Sequence, residues 1–292
     1  MGEVVGASRE VITLSVAVVS HDQKLLDRVP NRKFLKKILL SNIEIDEKYR
    51  GENLAENRYL IGNDFVEGDF DYFGFVSARW QERFPNWPQL DDLENEFASL
   101  NAPSPTDYFA PTSLRLNKLQ LKSWLRAQNV VHPGMTDLLL ELVRVNSIVV
   151  DRKQTYNLVM GNNFILPKQV ASDFLKFWQE SFHYLVEKYG LDFPFSYRCP
   201  LCGKENPLGI DRWARVRHAG FLMERVSALF FISRPELTPV IFTPTGVSPT
   251  KKLAFFRGLG IGGRLLALGT KFLRFGGTCK GNHESKSDAR KR

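Results

Sequence analysis

The run VITLSVAVVS, residues 11–20, limits the fold more than any other stretch of the chain. It is rich in β-branched residues and almost unbrokenly apolar, so neither of its faces can be left in water. A strand of that kind belongs in the centre of a sheet covered on both sides. It follows Glu3 and Glu10 without a basic n-region, so it reads as a first strand rather than a signal peptide.

The stretches that follow alternate in character. NRKFLKKILLSNIEIDEKY mixes helical spacing with a polar exit, and GENLAENRYLIGNDFVEGDF is a polar, Asn-rich connection of the kind on which sites are built. DYFGFVSARW, residues 71–80, is a second buried strand that ends in Ser, Ala, Arg and Trp. Residues 87–105 read as a helix and a Pro-punctuated loop. DYFAPTSLRL is then a short strand and its exit, and a helix comes after it. HPGMTDLLLELVRV has a Thr-Asp start and Leu/Val at helical spacing, which predicts an N-capped amphipathic helix. NNFILPKQVASDFLKFWQESFHYLVEKYG predicts a short strand and a long helix stopped by Gly190, GFLMERVSALFFIS the last long helix, and LTPVIF a final strand. Alternating strands and helices predict an α/β layered domain with a mixed, mainly parallel sheet flanked by helices.

Charge separates the body from the end of the chain. The net charge is +8, yet residues 251–292 hold eleven Lys or Arg against Glu284 and Asp288, a surplus of nine, so the first 250 residues sum to −1. A nearly neutral body argues against nucleic acid as a partner and for an electrostatic tether at one end. The expected organisation is a lead at 1–10, one domain at 11–242 and a basic tail at 243–292. In the tail Arg257, Arg264 and Lys271 recur every seven residues, the stripe of an amphipathic segment lying on an anionic membrane surface. Five glycines between Leu253 and Phe275 weaken such a helix, and a soluble basic tail is the competing reading.

Three cysteines make no disulfide framework and fit a reducing compartment. Cys199 and Cys202 have the spacing of one zinc knuckle, which is half of a tetrahedral site; Cys279 and His218 would both have to contribute to complete it. No run of 18 apolar residues exists, so no spanning helix is expected.

Four segments in order, GENLAENRYL, DYFGFVSARW, YNLVMGNNFILPKQVASDFLKFWQESF and RVRHAGFLMERVSALFF, resemble the bacterial capsular and exopolysaccharide glycosyltransferase-like proteins. The family pattern there looks like a Gly-Asp-Asn motif, a YIGL-HYRR strand, an NMFIM strand with its helix, and a GFLxER helix. The likeness runs from about residue 11 to residue 242. It implies a GT-A nucleotide-binding domain that moves a hexose from a nucleotide-sugar donor, most simply UDP-linked, to a glycan or lipid-linked glycan acceptor. It also implies a cytoplasmic enzyme, peripheral at the inner face of the plasma membrane.

VSARW stands where that family resembles CHYRR, so Arg79 is kept at the strand end. Most GT-A enzymes place there an Asp-x-Asp pair that holds Mn²⁺ or Mg²⁺ against the donor diphosphate. Here no Asp-x-Asp is well placed, since Asp69 and Asp71 precede the strand. A guanidinium offers phosphate oxygens a fixed fork of donors, so Arg79 is the expected substitute and no metal cofactor is called for. Asn53, Asn57, Asn162 and Asn163 join it as donor-binding candidates, because amides can read a base edge or sugar hydroxyls. Glu224 is the candidate base for the acceptor hydroxyl, with Arg225 or His218 near the diphosphate or acceptor, and Asp107 on the acceptor side. The other class of reading is a non-catalytic carbohydrate- or nucleotide-binding protein that kept the fold after losing the chemistry.

Overall fold

The computed structural model describes residues 12–40, 58–61, 66–84, 88–99, 104–110, 113–131, 134–159, 161–189 and 218–240. All of them fall in one compact unit. The expected first strand is β1, Leu14–Ser20, buried at every position. Its neighbours are β2, Leu35–Leu39, and β3, Tyr72–Ser77, both parallel to it.

The chain passes from β1 to β2 through α1, Gln23–Asp27, whose Asp22 cap accepts from Lys24 N–H. It returns past β1 to β3 by way of α2, Arg58–Ile61. Right-handed crossovers in opposite directions put their helices on opposite faces. Leu26 of α1 accordingly packs with Leu14, Val16 and Val18, while Tyr59 and Leu60 of α2 pack with Ala17 and Val19.

β7, Phe164–Pro167, runs antiparallel to β3 and to β4, Asp107–Phe109; β8, Thr238–Val240, lies parallel to β4. The sheet order is β2-β1-β3-β7-β4-β8, with five strands pointing one way and β7 the other. β5, Ser113–Asn117, and β6, Thr155–Val159, form a separate antiparallel pair.

One face of the sheet carries α1, α3 (Trp80–Arg83) and α4 (Leu93–Ser99) around Trp80, Leu93 and Phe97. The other carries α7 (Lys168–Tyr189) and α8 (His218–Ser233), while α5 (Lys118–Val131) packs on the β5–β6 pair and α6 (Met135–Val145) on α5 and α8. Aromatic contacts seat the last two helices: Phe164 of β7 meets Phe174 edge-on at 4.7 Å, and Tyr108 of β4 lies 4.7 Å from Phe231. Leu222, Met223, Val226, Ala228 to Ile232 are all buried, so α8 is apolar nearly all round, as a helix sandwiched between layers must be.

Two local expectations are corrected. Residues 35–39 form β2, not a helix; a run as short as FLKKIL satisfies either period, and the free edge of β1 decides. Helix α6 is entered through Gly134 in the left-handed conformation, φ +86, without a side-chain cap. Thr136 instead donates its hydroxyl to Leu125 O at 2.6 Å, pinning α6 to α5. Gly190, the cysteine pair and residues 241–292 lie outside the described residues.

Candidate functional site

In open α/β sheets ligands bind beyond the carboxyl ends of the strands, where the strand order reverses. Here the reversal falls at β1 and β3, whose carboxyl ends are Ser20 and Ser77. Arg79 follows directly. Its backbone is held while its side chain is exposed: Ser77 N–H donates to Asn163 Oδ1 at 2.9 Å, Ala78 N–H to Val19 O at 2.9 Å, and Arg79 N–H to Ser77 Oγ at 3.2 Å. Trp80 is buried next to it and donates its indole N–H to Pro88 O. Among the described residues no carboxylate pairs with Arg79, although surface pairing is the ordinary fate of a strand-end arginine.

β7 begins at this same edge because it runs against β3, Phe164 facing Phe75. The turn leading into it therefore sets Asn162 and Asn163 beside the exit of β3. Asn163 is buried, its amide oxygen taken up by Ser77, whereas Asn162 Oδ1 accepts from the Ser227 hydroxyl at 2.6 Å. Gly161 opens the turn at φ +76, a conformation that strains any residue with a Cβ.

α8 arrives at the same place. It leads through Leu237 into β8, which starts at the amino edge of the sheet opposite Asp107, so the half of α8 before Ser227 lies toward the carboxyl edge. That half carries Glu224 and Arg225, half-buried and paired at 3.0 Å. Arg225 Nε also donates to Gln128 Oε1 at 3.1 Å, and Gln128 Nε2 to Trp124 O at 3.0 Å. Burial favours loss of the guanidinium proton, and the Glu224 carboxylate works against that. Gln128 was not foreseen: one Gln on an amphipathic helix carries no signal of its own.

Asp107 does not join this group. It opens β4 at the amino edge, opposite the edge that bears Arg79, and its carboxylate accepts from Ser104 N–H at 2.9 Å to close the preceding turn. Asp69 and Asp71 lie at that amino edge too. Lys168 holds the Asp69 carboxyl below its ordinary range with a 2.8 Å hydrogen bond, and Asp71 accepts from both the N–H and the hydroxyl of Thr13. These carboxylates fasten the starts of β1, β3 and α7. Burial, with Asp107 and Asp71 nearby, pushes the Tyr72 phenol between them up to about 12.

Of the remaining candidates, Asn53, Asn57, Cys199 and Cys202 lie outside the described residues, and His218 is the first residue of α8. An open hollow of about 510 Å³ lies along α7, lined by Val66, Lys176, Gln179, Glu180 and His183, and shares no residue with the Arg79 group. Among the described residues no three His, Cys, Asp or Glu side chains are placed to hold a metal ion, and no helix is long and apolar enough to cross a membrane. Comparison of the chain with protein-family models, with curated proteins and with solved structures finds no match.

Proposed function

We propose that this protein is a glycosyltransferase of the GT-A kind, which moves a hexose from a UDP-sugar to a glycan or lipid-linked glycan acceptor. The observation that carries the reading is Arg79: an exposed guanidinium without a carboxylate partner among the described residues, on a rigid strand end at the edge where α/β sheets bind ligands. The acceptor hydroxyl attacks the anomeric carbon, the bond from that carbon to the β-phosphate oxygen breaks, and UDP leaves. Arg79 steadies the charge that gathers on the diphosphate, the task given elsewhere to a divalent cation. Glu224, kept in place by Arg225, takes the acceptor proton.

Release of UDP from UDP-sugars tests the reading. Arg79→Ala should lower kcat/KM by about 10²–10³-fold, the usual loss when one donor to a developing charge is removed. Glu224→Gln should lower kcat by about 10²–10⁴-fold with UDP affinity retained.

The pairing of Glu224 with Arg225 also favours a second reading, in which both serve only packing and the protein binds nucleotide or carbohydrate without turnover. UDP binding with no release from any UDP-sugar, and no effect of Glu224→Gln, would select it.

A further inference from the structure

The residues around Arg79 and Glu224 come from segments far apart in the chain, and one short turn touches both. We infer that Asn162 and Asn163, in the turn between β6 and β7, form a two-armed brace that sets the position of Arg79 relative to the Glu224–Arg225 pair. Both are positioning residues, not donor-binding ones. This deepens the glycosyltransferase reading and rests on it.

The first arm replaces a missing rung of the sheet. The ladder between β3 and β7 ends at Phe75 and Phe164, so no main-chain oxygen of β7 reaches Ser77 N–H. The buried Asn163 amide supplies that acceptor across 86 positions of sequence. Three successive amides, of Ser77, Ala78 and Arg79, are then fixed by three different acceptors, in the β7 turn, in β1 and in the Ser77 side chain. The arginine's Cα is located by all of them.

The second arm fixes a helix rotation. Ser227 is fully buried and stands three residues after Glu224, hence on the adjoining position of the helix surface. Its hydroxyl bond to Asn162 Oδ1 at 2.6 Å holds the azimuth of α8, and with it the direction in which Glu224 and Arg225 project. Gly161 allows the chain to reverse just before the two asparagines. Because misplacement by about 1 Å can cost on the order of 100-fold in rate, a brace across the two halves of a site acts on catalysis without touching substrate.

The experiment compares the full-length protein with its Asn163→Ala, Asn163→Asp and Ser227→Ala variants by peptide-level hydrogen exchange, UDP binding and UDP release. Asn163→Ala should speed exchange in the peptide holding Ser77 to Trp80 by about tenfold, the weight of one hydrogen bond, with β1 and β2 peptides unchanged, and should weaken UDP binding by a similar factor. Asn163→Asp keeps the acceptor oxygen and should restore protection. Ser227→Ala should lower kcat with UDP affinity unchanged. Wild-type exchange at residues 77–80 in Asn163→Ala overturns the inference, and so does equal loosening of every peptide without rescue by Asp. Should the wild-type protein neither bind nor release UDP, the glycosyltransferase reading fails, and the exchange measurements still decide whether the brace exists.

Discussion

Gly74 lies in the middle of β3, where even a methyl group has no room. A Cβ there would come within 2.9 Å of both Val16 γ-carbons and 3.1 Å of Ile165 Cγ1, contacts closer than packed side chains adopt. Gly74→Ala should lower the stability of the protein by about 1–3 kcal/mol, measured by urea unfolding. In a Val16→Ala background the same change should cost measurably less, since the two sites share one space. At this scale the sequence was a partial guide. Arg79 was legible because an arginine at the end of an apolar strand is conspicuous. Asn163 was picked out as well, but no sequence pattern shows that its amide oxygen is taken by a backbone N–H 86 positions away. The place of Asp107 was not legible: a carboxylate opening a strand looks the same at either edge of a sheet, and only the strand direction puts it at the edge opposite Arg79.

The pairing of α6 and α7 turns on one carboxylate. Glu141 of α6 accepts from Tyr184 and Lys188 at 2.5 Å and from Tyr189 at 2.6 Å, all three near the end of α7. Burial alone would raise its pKa, yet the hydrogen bonds from Lys188, Tyr184 and Tyr189 outweigh that and bring it to about 2. A carboxyl whose pKa falls on folding adds stability above its unfolded value, and that contribution drains away as pH drops from about 5 toward 2. Glu141→Gln should therefore be less stable than the wild type by about 1–3 kcal/mol at pH 7, with the difference closing in thermal scans taken down to pH 2. β1 and β3 were legible as unbroken apolar runs, and α7 and α8 by their length. Those missed were short: α1, α2, α3, β2, β5 and β6 have four or five residues each, too few for a period to show.

For the molecule as a whole, the opposition of the two sheet edges organises what each can do. The amino edge is fastened by Asp71 to Thr13 and by Asp69 to Lys168, and the carboxyl edge carries Arg79, the asparagine turn and the first half of α8. A nucleotide bound there stabilises the folded chain by mass action, so UDP at 100 times its Kd should raise the unfolding free energy by about 2.7 kcal/mol in a thermal-shift assay, with or without Mn²⁺. In Arg79→Ala the same UDP concentration should give a smaller shift, whereas Asp107→Asn, altered at the other edge, should respond as the wild type does.

Synthesis supplies α8 and β8 after the strands and helices they pack against, because those all precede them in the chain. A nascent chain that has emerged only as far as α7 leaves Phe164 and Phe174 without Phe230 and Phe231, and β4 with a bare flank where β8 will pair. Until those residues leave the ribosome, the apolar surface that α8 covers stands in water, which makes this interval the one in which a chaperone would matter most.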